Sequence, residues 1–192
     1  MKRKYHDKMT ELFPQFAGLS DRITVKEIQS GSTLLSQGNI ATKLFVIIEG
    51  CVRAFYIKEN GVEVTSQFFI EGQMIASLES ATTGAPSQLN IETIEDSVIG
   101  FIQWKIIEKT LHESSLARDS FGNFLMKRLI YYMNQQSSFI LDNPEKRYMK
   151  FIEEQPELAS RLPKQYIASY LGITPVSLSR IRSRLRNRLN NC

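Results

Sequence analysis

Between Gly31 and Gly100 a glycine returns every 7–16 residues, at 31, 38, 50, 61, 72, 84 and 100. Punctuation this regular suits a sandwich or jelly roll of short strands. Leu44-Phe45-Val46-Ile47-Ile48 is a short continuous apolar run closed by Glu49-Gly50. Val52, Ala54 and Tyr56 then alternate with Arg53, Phe55 and Ile57, and Glu59-Asn60-Gly61 turns the chain. After the turn Val62, Val64, Ser66 and Phe68 set up a second alternation. Asn-Gly between two alternating runs signals a hairpin. From about Thr24 to Gln103 the chain is therefore expected to be β, without the internal repetition of a solenoid.

The character changes at Trp104. From there to Leu141 the sequence holds no proline and one glycine, Gly122. Phe121, Leu125, Leu129, Tyr132, Gln136 and Phe139 step by three or four residues, with Phe124, Arg128 and Met133 beside them. That stripe is wide enough to face both the chain's own domain and a partner helix. Pattern alone leaves two readings open, a helix packed on its own sheet and a dimer seam. Asp142-Asn143-Pro144 ends it, with Asn143 placed to cap a new helix and Pro144 at its first position. That helix should run to about Gln155, and Pro156 and Pro163 bracket a short connection. The reading gives an α+β chain with three parts: a β domain over 1–112, a long helix over 113–141, and a helical unit over 142–192.

Charge is divided unevenly among these parts. The net charge is +4, yet from Leu158 onward there are seven basic residues (Arg161, Lys164, Arg180, Arg182, Arg184, Arg186 and Arg188) and no acidic one. The rest of the chain is left at −3. A basic end on a mildly acidic body is the electrostatic footprint of nucleic-acid binding.

Several chemistries are excluded by scarcity. The two cysteines, Cys51 and Cys192, and the two histidines, His6 and His112, are isolated in sequence. They cannot form a four-thiolate cluster, a structural zinc site or a multi-histidine metal centre. His6, His112 and Cys51 are the only evident haem ligands, and none has a motif around it. No cofactor, no metal and no enzymatic activity is expected, since no nucleophile–base set is present. No apolar run reaches the ~20 residues that cross a bilayer, and no signal-peptide pattern follows the basic start. The expectation is a cytoplasmic protein that does not contact membranes.

The segment Pro163–Arg182 reads as two helices around a tight corner. Ile167, Tyr170 and Leu171 form the inward side of the first, and the small Ala168 lets the second approach. Gly172 supplies the positive φ that ends the first helix. Thr174 is a good N-cap and Pro175 a good first residue for the second. Leu178, Ile181 and Leu185 point inward, which leaves Val176, Ser177, Arg180 and Arg184 outside. Short side chains and an arginine on the first turns are what a helix needs to enter the major groove. Arg182, Arg184, Arg186 and Arg188 fall nearer the phosphates, where they add salt-dependent affinity.

At these residues the chain resembles the Crp/Fnr regulators. The pattern I-A-x-x-L-G-x-[ST]-x-x-x-[LV]-S-R is met at Ile167, Ala168, Leu171, Gly172, Thr174, Leu178, Ser179 and Arg180. Upstream, Ser30-Gly31, Gln37-Gly38, Leu44 to Gly50, Gly61 and Gly72 follow the order of that family's cyclic-nucleotide-binding-like domain. The Thr174-Pro175 variant is similar to Bacteroidetes-type members. The resemblance implies a jelly-roll sensor, a long dimerisation helix and a C-terminal winged-helix reader, its wing short or absent. It implies a homodimer seamed by Phe121, Leu125, Arg128, Leu129, Tyr132, Gln136 and Phe139. Val176, Ser177 and Arg180 would face the bases, and Lys164, Gln165, Thr174 and Ser177 would lie near the phosphates. Double-stranded DNA is the partner so implied, with RNA polymerase and an unidentified effector as further candidates.

Cyclic AMP is not the expected effector. The family's pocket uses a Gly-Glu pair and then an Arg-Ser/Thr pair, whereas Ala76-Ser77 stands at the first position and no arginine occurs between Arg53 and Arg118. A buried phosphate would lack its cation. Ser77, Glu79, Gln88 and Asn90 are the candidates for lining a pocket for another effector, the equal alternative being a pocket filled by side chains that binds nothing. The rival reading is a sensing or protein-interaction jelly roll whose DNA binding has degenerated.

Overall fold

The computed structural model describes residues 2–12, 18–19 and 21–190. A helix, α1 (Lys2–Leu12), precedes eight strands: β1 (Thr24–Ile28), β2 (Thr33–Leu35), β3 (Lys43–Glu49), β4 (Val52–Ile57), β5 (Glu63–Phe69), β6 (Met74–Ile75), β7 (Asn90–Thr93) and β8 (Ser97–Gln103). A short helix, α2 (Leu78–Thr83), lies between β6 and β7. The strands form two four-stranded antiparallel sheets, ordered β1-β8-β3-β6 and β2-β7-β4-β5. This is the jelly roll expected from the glycine spacing, with β1 beginning at Thr24 and β8 ending at Gln103.

Strand β3 shows how the layers stack. Its side chains alternate between faces, and both faces are covered. Phe45 and Ile47 enter the core between the sheets with Val52, Ile91 and Ile99. Leu44, Val46 and Ile48 point the other way, against Met9, Trp104 and Ile107. The helices carrying those residues are α1 and α3 (Trp104–Glu113). A third cluster covers the outer face of the second sheet, joining Cys51 and Phe68 to buried residues of the C-terminal helices.

The helix-period stretch is interrupted at Ser114. Its backbone is extended there (φ −127°) and its hydroxyl accepts from the Ala117 N–H, starting α4 (Ser115–Leu141). Asn143 caps α5 (Pro144–Glu154) by accepting from the Lys146 N–H at 2.9 Å. The connection between Pro156 and Pro163 is itself helical, α6 (Pro156–Arg161). Two last helices follow, α7 (Lys164–Tyr170) and α8 (Pro175–Asn190).

Among the described residues no group of histidines, cysteines and carboxylates could hold a metal. No helix there is long and apolar enough to cross a membrane. Cys51 is buried, and burial pushes its thiol up to about 12. His112 is exposed, whereas Cys192 and the side chain of His6 lie outside the described residues.

Gly50 turns the chain from β3 into β4 at φ +97°, and a Cβ there would meet Ser97 Oγ at 2.2 Å and Ser97 Cα at 2.8 Å. Gly50→Ala should therefore lower the unfolding free energy by about 2–3 kcal/mol, read from the urea midpoint. An unchanged midpoint would contradict the close approach of these turns.

Candidate nucleic-acid interface

The corner between α7 and α8 is built by the residues its sequence singles out. Ile167, Ala168 and Leu171 are buried against Leu178 and Ile181. Gly172 sits at φ +69°, and its N–H and that of Ile173 close the end of α7 on Ser169 and Ala168 carbonyls. Thr174 Oγ1 accepts from the Ser177 N–H at 3.1 Å, which caps α8.

Capping orients the first turns of α8. Val176 is 60% exposed, Arg180 is exposed, and Ser177 is half-buried with its hydroxyl 3.0 Å from that of Thr174. Lys164 and Gln165 are exposed on the first turn of α7, as is Thr174 before α8. Arg186 is exposed and Arg182 half-buried. Arg184 and Arg188 instead reach Glu145 on α5, at 3.1 and 2.7 Å. Such exposed pairs are worth ~0–1 kcal/mol, so a phosphate can compete for either arginine.

The helical unit is not free of the β domain. Arg161, at the end of α6, bonds Glu71 at 2.9 and 3.1 Å and also Glu95. Ser169 Oγ accepts from the Thr65 N–H at 2.9 Å and donates to the Glu63 carbonyl. Tyr166 lies 3.9 Å over the guanidinium of Arg53, whose other face meets Phe55. Tyr170 packs on Phe68 and Phe151, and its hydroxyl meets those of Tyr131 and the Gln135 amide. Sequence reasoning singled out neither the Arg53 site nor the Arg161 clamp. Both depend on acidic partners 10 to 90 residues away, which no local pattern reveals.

Helix α4 divides its residues between two faces. Phe121 packs on Trp104 and Phe124, and Arg128 stacks on Phe69 and bonds Gln67. Phe121 and Arg128, expected at the seam, are thus turned to their own domain. Leu125, Leu129, Tyr132 and Phe139 are exposed, as is Gln136, although Phe139 also carries the Arg147 guanidinium at 4.7 Å. Met126, Ile130, Met133 and Ile140 are each more than half exposed.

The four expected effector contacts do not surround one cavity. Ser77 and Ser87 are buried with their hydroxyls 3.0 Å apart. Asn90 Oδ1 accepts from the Gln37 N–H, while its buried Nδ2 has no partner. Glu79 and Gln88 lie on the surface.

Residues 25–114 match the family model of the cyclic nucleotide-binding domain. Among solved structures the chain is similar to FixK2 from Bradyrhizobium japonicum, with 17% identity, 86% of this chain and 85% of that one covered, and a TM-score of 0.76. It is similar to a putative transcriptional regulator of the Crp/Fnr family from Eubacterium rectale (17% identity, 91% and 83% covered, TM-score 0.72). The chain has the Crp/Fnr fold. The c-di-GMP-responsive global regulator CLP of Xanthomonas campestris shares it at 14% identity, with 93% and 92% covered and a TM-score of 0.70. No protein of curated function matches the chain.

In this Crp/Fnr fold the Arg161 clamp makes the docking of the helical unit sensitive to acid. Burial alone would raise the Glu71 carboxyl, but hydrogen bonds from Arg161 and from backbone N–H groups hold it below its ordinary value. A group held low in the folded state stabilises it fully at neutral pH and stops doing so as the pH falls through the carboxylate range. Arg161→Met should cost about 1 kcal/mol at pH 7, kept small by the partial exposure of the clamp. It should also flatten the decline of the urea midpoint between pH 6 and pH 4. A decline as steep as in the unsubstituted chain would count against the clamp.

Proposed function

We propose that the chain is a DNA-binding transcription regulator, reading an inverted repeat as a homodimer and acting without cyclic AMP. The observation that carries this reading is the exposed, capped start of α8. It presents Val176, Ser177 and Arg180 with no acidic residue on α7 or α8 to oppose a phosphate backbone. Arg180 has the reach and the paired donors to bond a guanine edge. Lys164, Gln165, Thr174, Arg182 and Arg186 are assigned to the phosphates, with Arg184 joining them once it leaves Glu145.

The second copy is assigned to α4, 27 residues long and about 40 Å in span. Met126, Ile130, Met133 and Ile140 recur at steps of four, three and seven, which keep one face of a helix–helix seam, and their exposure supports covering by the same helix of another chain. Two such readers would meet half-sites about 34 Å apart. The Ser77–Ser87 contact supports independence from cyclic AMP, because two neutral hydroxyls stand where a cyclic nucleotide would need a glutamate for its ribose hydroxyl and an arginine for its phosphate. RNA polymerase is assigned as a downstream partner, and the cytoplasm, where the DNA is, as the location.

Two substitutions test the reading. Arg180→Ala should change which bases are preferred, at about 1–3 kcal/mol for the base it reads. Arg186→Ala should weaken all sequences alike and reduce the salt slope by about 1. Equal, sequence-blind losses from both would overturn the assignment of α8. For the seam, Ile130→Glu should shift the particle from two chains to one in sedimentation, and an unchanged mass would remove α4 from the interface.

A further inference from the structure

The valine, leucine and isoleucine side chains at the start of α8 are not all turned inward. Leu178 and Ile181 are buried and Leu185 packs against the same cluster, whereas Val176 is 60% exposed. Single exposed apolar residues are ordinary on protein surfaces. What sets Val176 apart is its place, four residues before Arg180, because residues four apart share one face of a helix. Its turn is fixed, since Thr174 Oγ1 accepts from the Ser177 N–H at 3.1 Å and the two hydroxyls lie 3.0 Å apart. A β-branched side chain also has few rotamers to lose when it is held against a surface.

The same stretch is poor in readers of other bases. The paired edge of adenine is met by asparagine or glutamine, and the cytosine amine by a carboxylate. From Pro175 to Arg186 the helix holds no asparagine, glutamine, aspartate or glutamate. It offers arginines, serine hydroxyls and one exposed branched apolar side chain. In the major groove the apolar mark of a base is the C5 methyl of thymine.

We propose that Val176 reads the C5 methyl of a thymine in each half-site, beside the guanine assigned to Arg180. The proposal rests on the assignment of α8 as the reading helix and adds which base its first turn selects. Val176 is then a specificity-determining residue that acts by covering a methyl group, without a hydrogen bond.

The test starts with selection from randomised duplex DNA by the full chain and by Val176→Ser, which removes both methyls from an exposed position. One position per half-site should lose its preference in the variant, and it should be thymine in the repeat enriched by the unsubstituted chain. Deoxyuridine at that position deletes the C5 methyl and leaves the pairing edge intact. In fluorescence-anisotropy titrations the unsubstituted chain should bind the deoxyuridine duplex about fourfold more weakly per half-site, the effect of one buried methyl. Val176→Ser should bind the two duplexes equally. No position altered by Val176→Ser, an altered position that is not thymine, equal binding of both duplexes by the unsubstituted chain, or the same loss in both proteins would overturn the role of Val176 and leave α8 as the reading helix. Failure to enrich any repeat would overturn both.

Discussion

Arg53 lies on the outer face of the second sheet with only 3% of its side chain exposed, between Glu63 and Glu92. A buried guanidinium is costly unless its charge is met and its donors are bonded. The two glutamates meet the charge, but the water is excluded by Tyr166, which comes from the helical unit. The same contact line covers an open edge, because β5 ends its sheet and the Ser169 hydroxyl takes up the Thr65 N–H. Arg161 then ties the far end of the unit to Glu71 and Glu95. Each half of the molecule satisfies groups that the other leaves incomplete, and this fixes where α8 stands relative to α4.

Much of this architecture was legible because it is local. Period-two alternation and Asn60-Gly61 place β4 and β5, while Asn143-Pro144 and Thr174-Pro175 mark two helix starts by cap chemistry. Other features have no local signature. The Ser114 break carries neither proline nor glycine, and α1 and α2 lie outside the segments whose periodicity is strong. The burial of Arg53 reverses what alternation beside Ala54 implies, since a strand's outer face is dry only if something distant lands on it.

Helix α4 shows a subtler limit. Phe121, Phe124, Arg128, Tyr131 and Gln135 face the chain's own domain, while Met126, Ile130, Met133 and Ile140 face away. The first set steps by three and four and the second by four, three and seven, both helical spacings, so periodicity detects a two-sided helix without saying which side is which. The candidate effector residues failed to gather for a related reason. Turning through α2 and the following loop buries Ser77 and Asn90 but leaves Glu79 and Gln88 outside. The basic tail is likewise not uniform, for Arg161 is committed to the β domain and Arg184 and Arg188 to Glu145. The cations not committed to a carboxylate are concentrated at the start of α7 and along the outer side of α8, beside short side chains.

The most direct test of a sequence-reading dimer is selection by the purified chain, without added ligand, from randomised duplex DNA at near-physiological salt, followed by sequencing. The account predicts enrichment of an inverted repeat whose half-sites are centred about one helical turn apart. Retention that depends on salt but enriches no sequence, with and without cell extract, would contradict it.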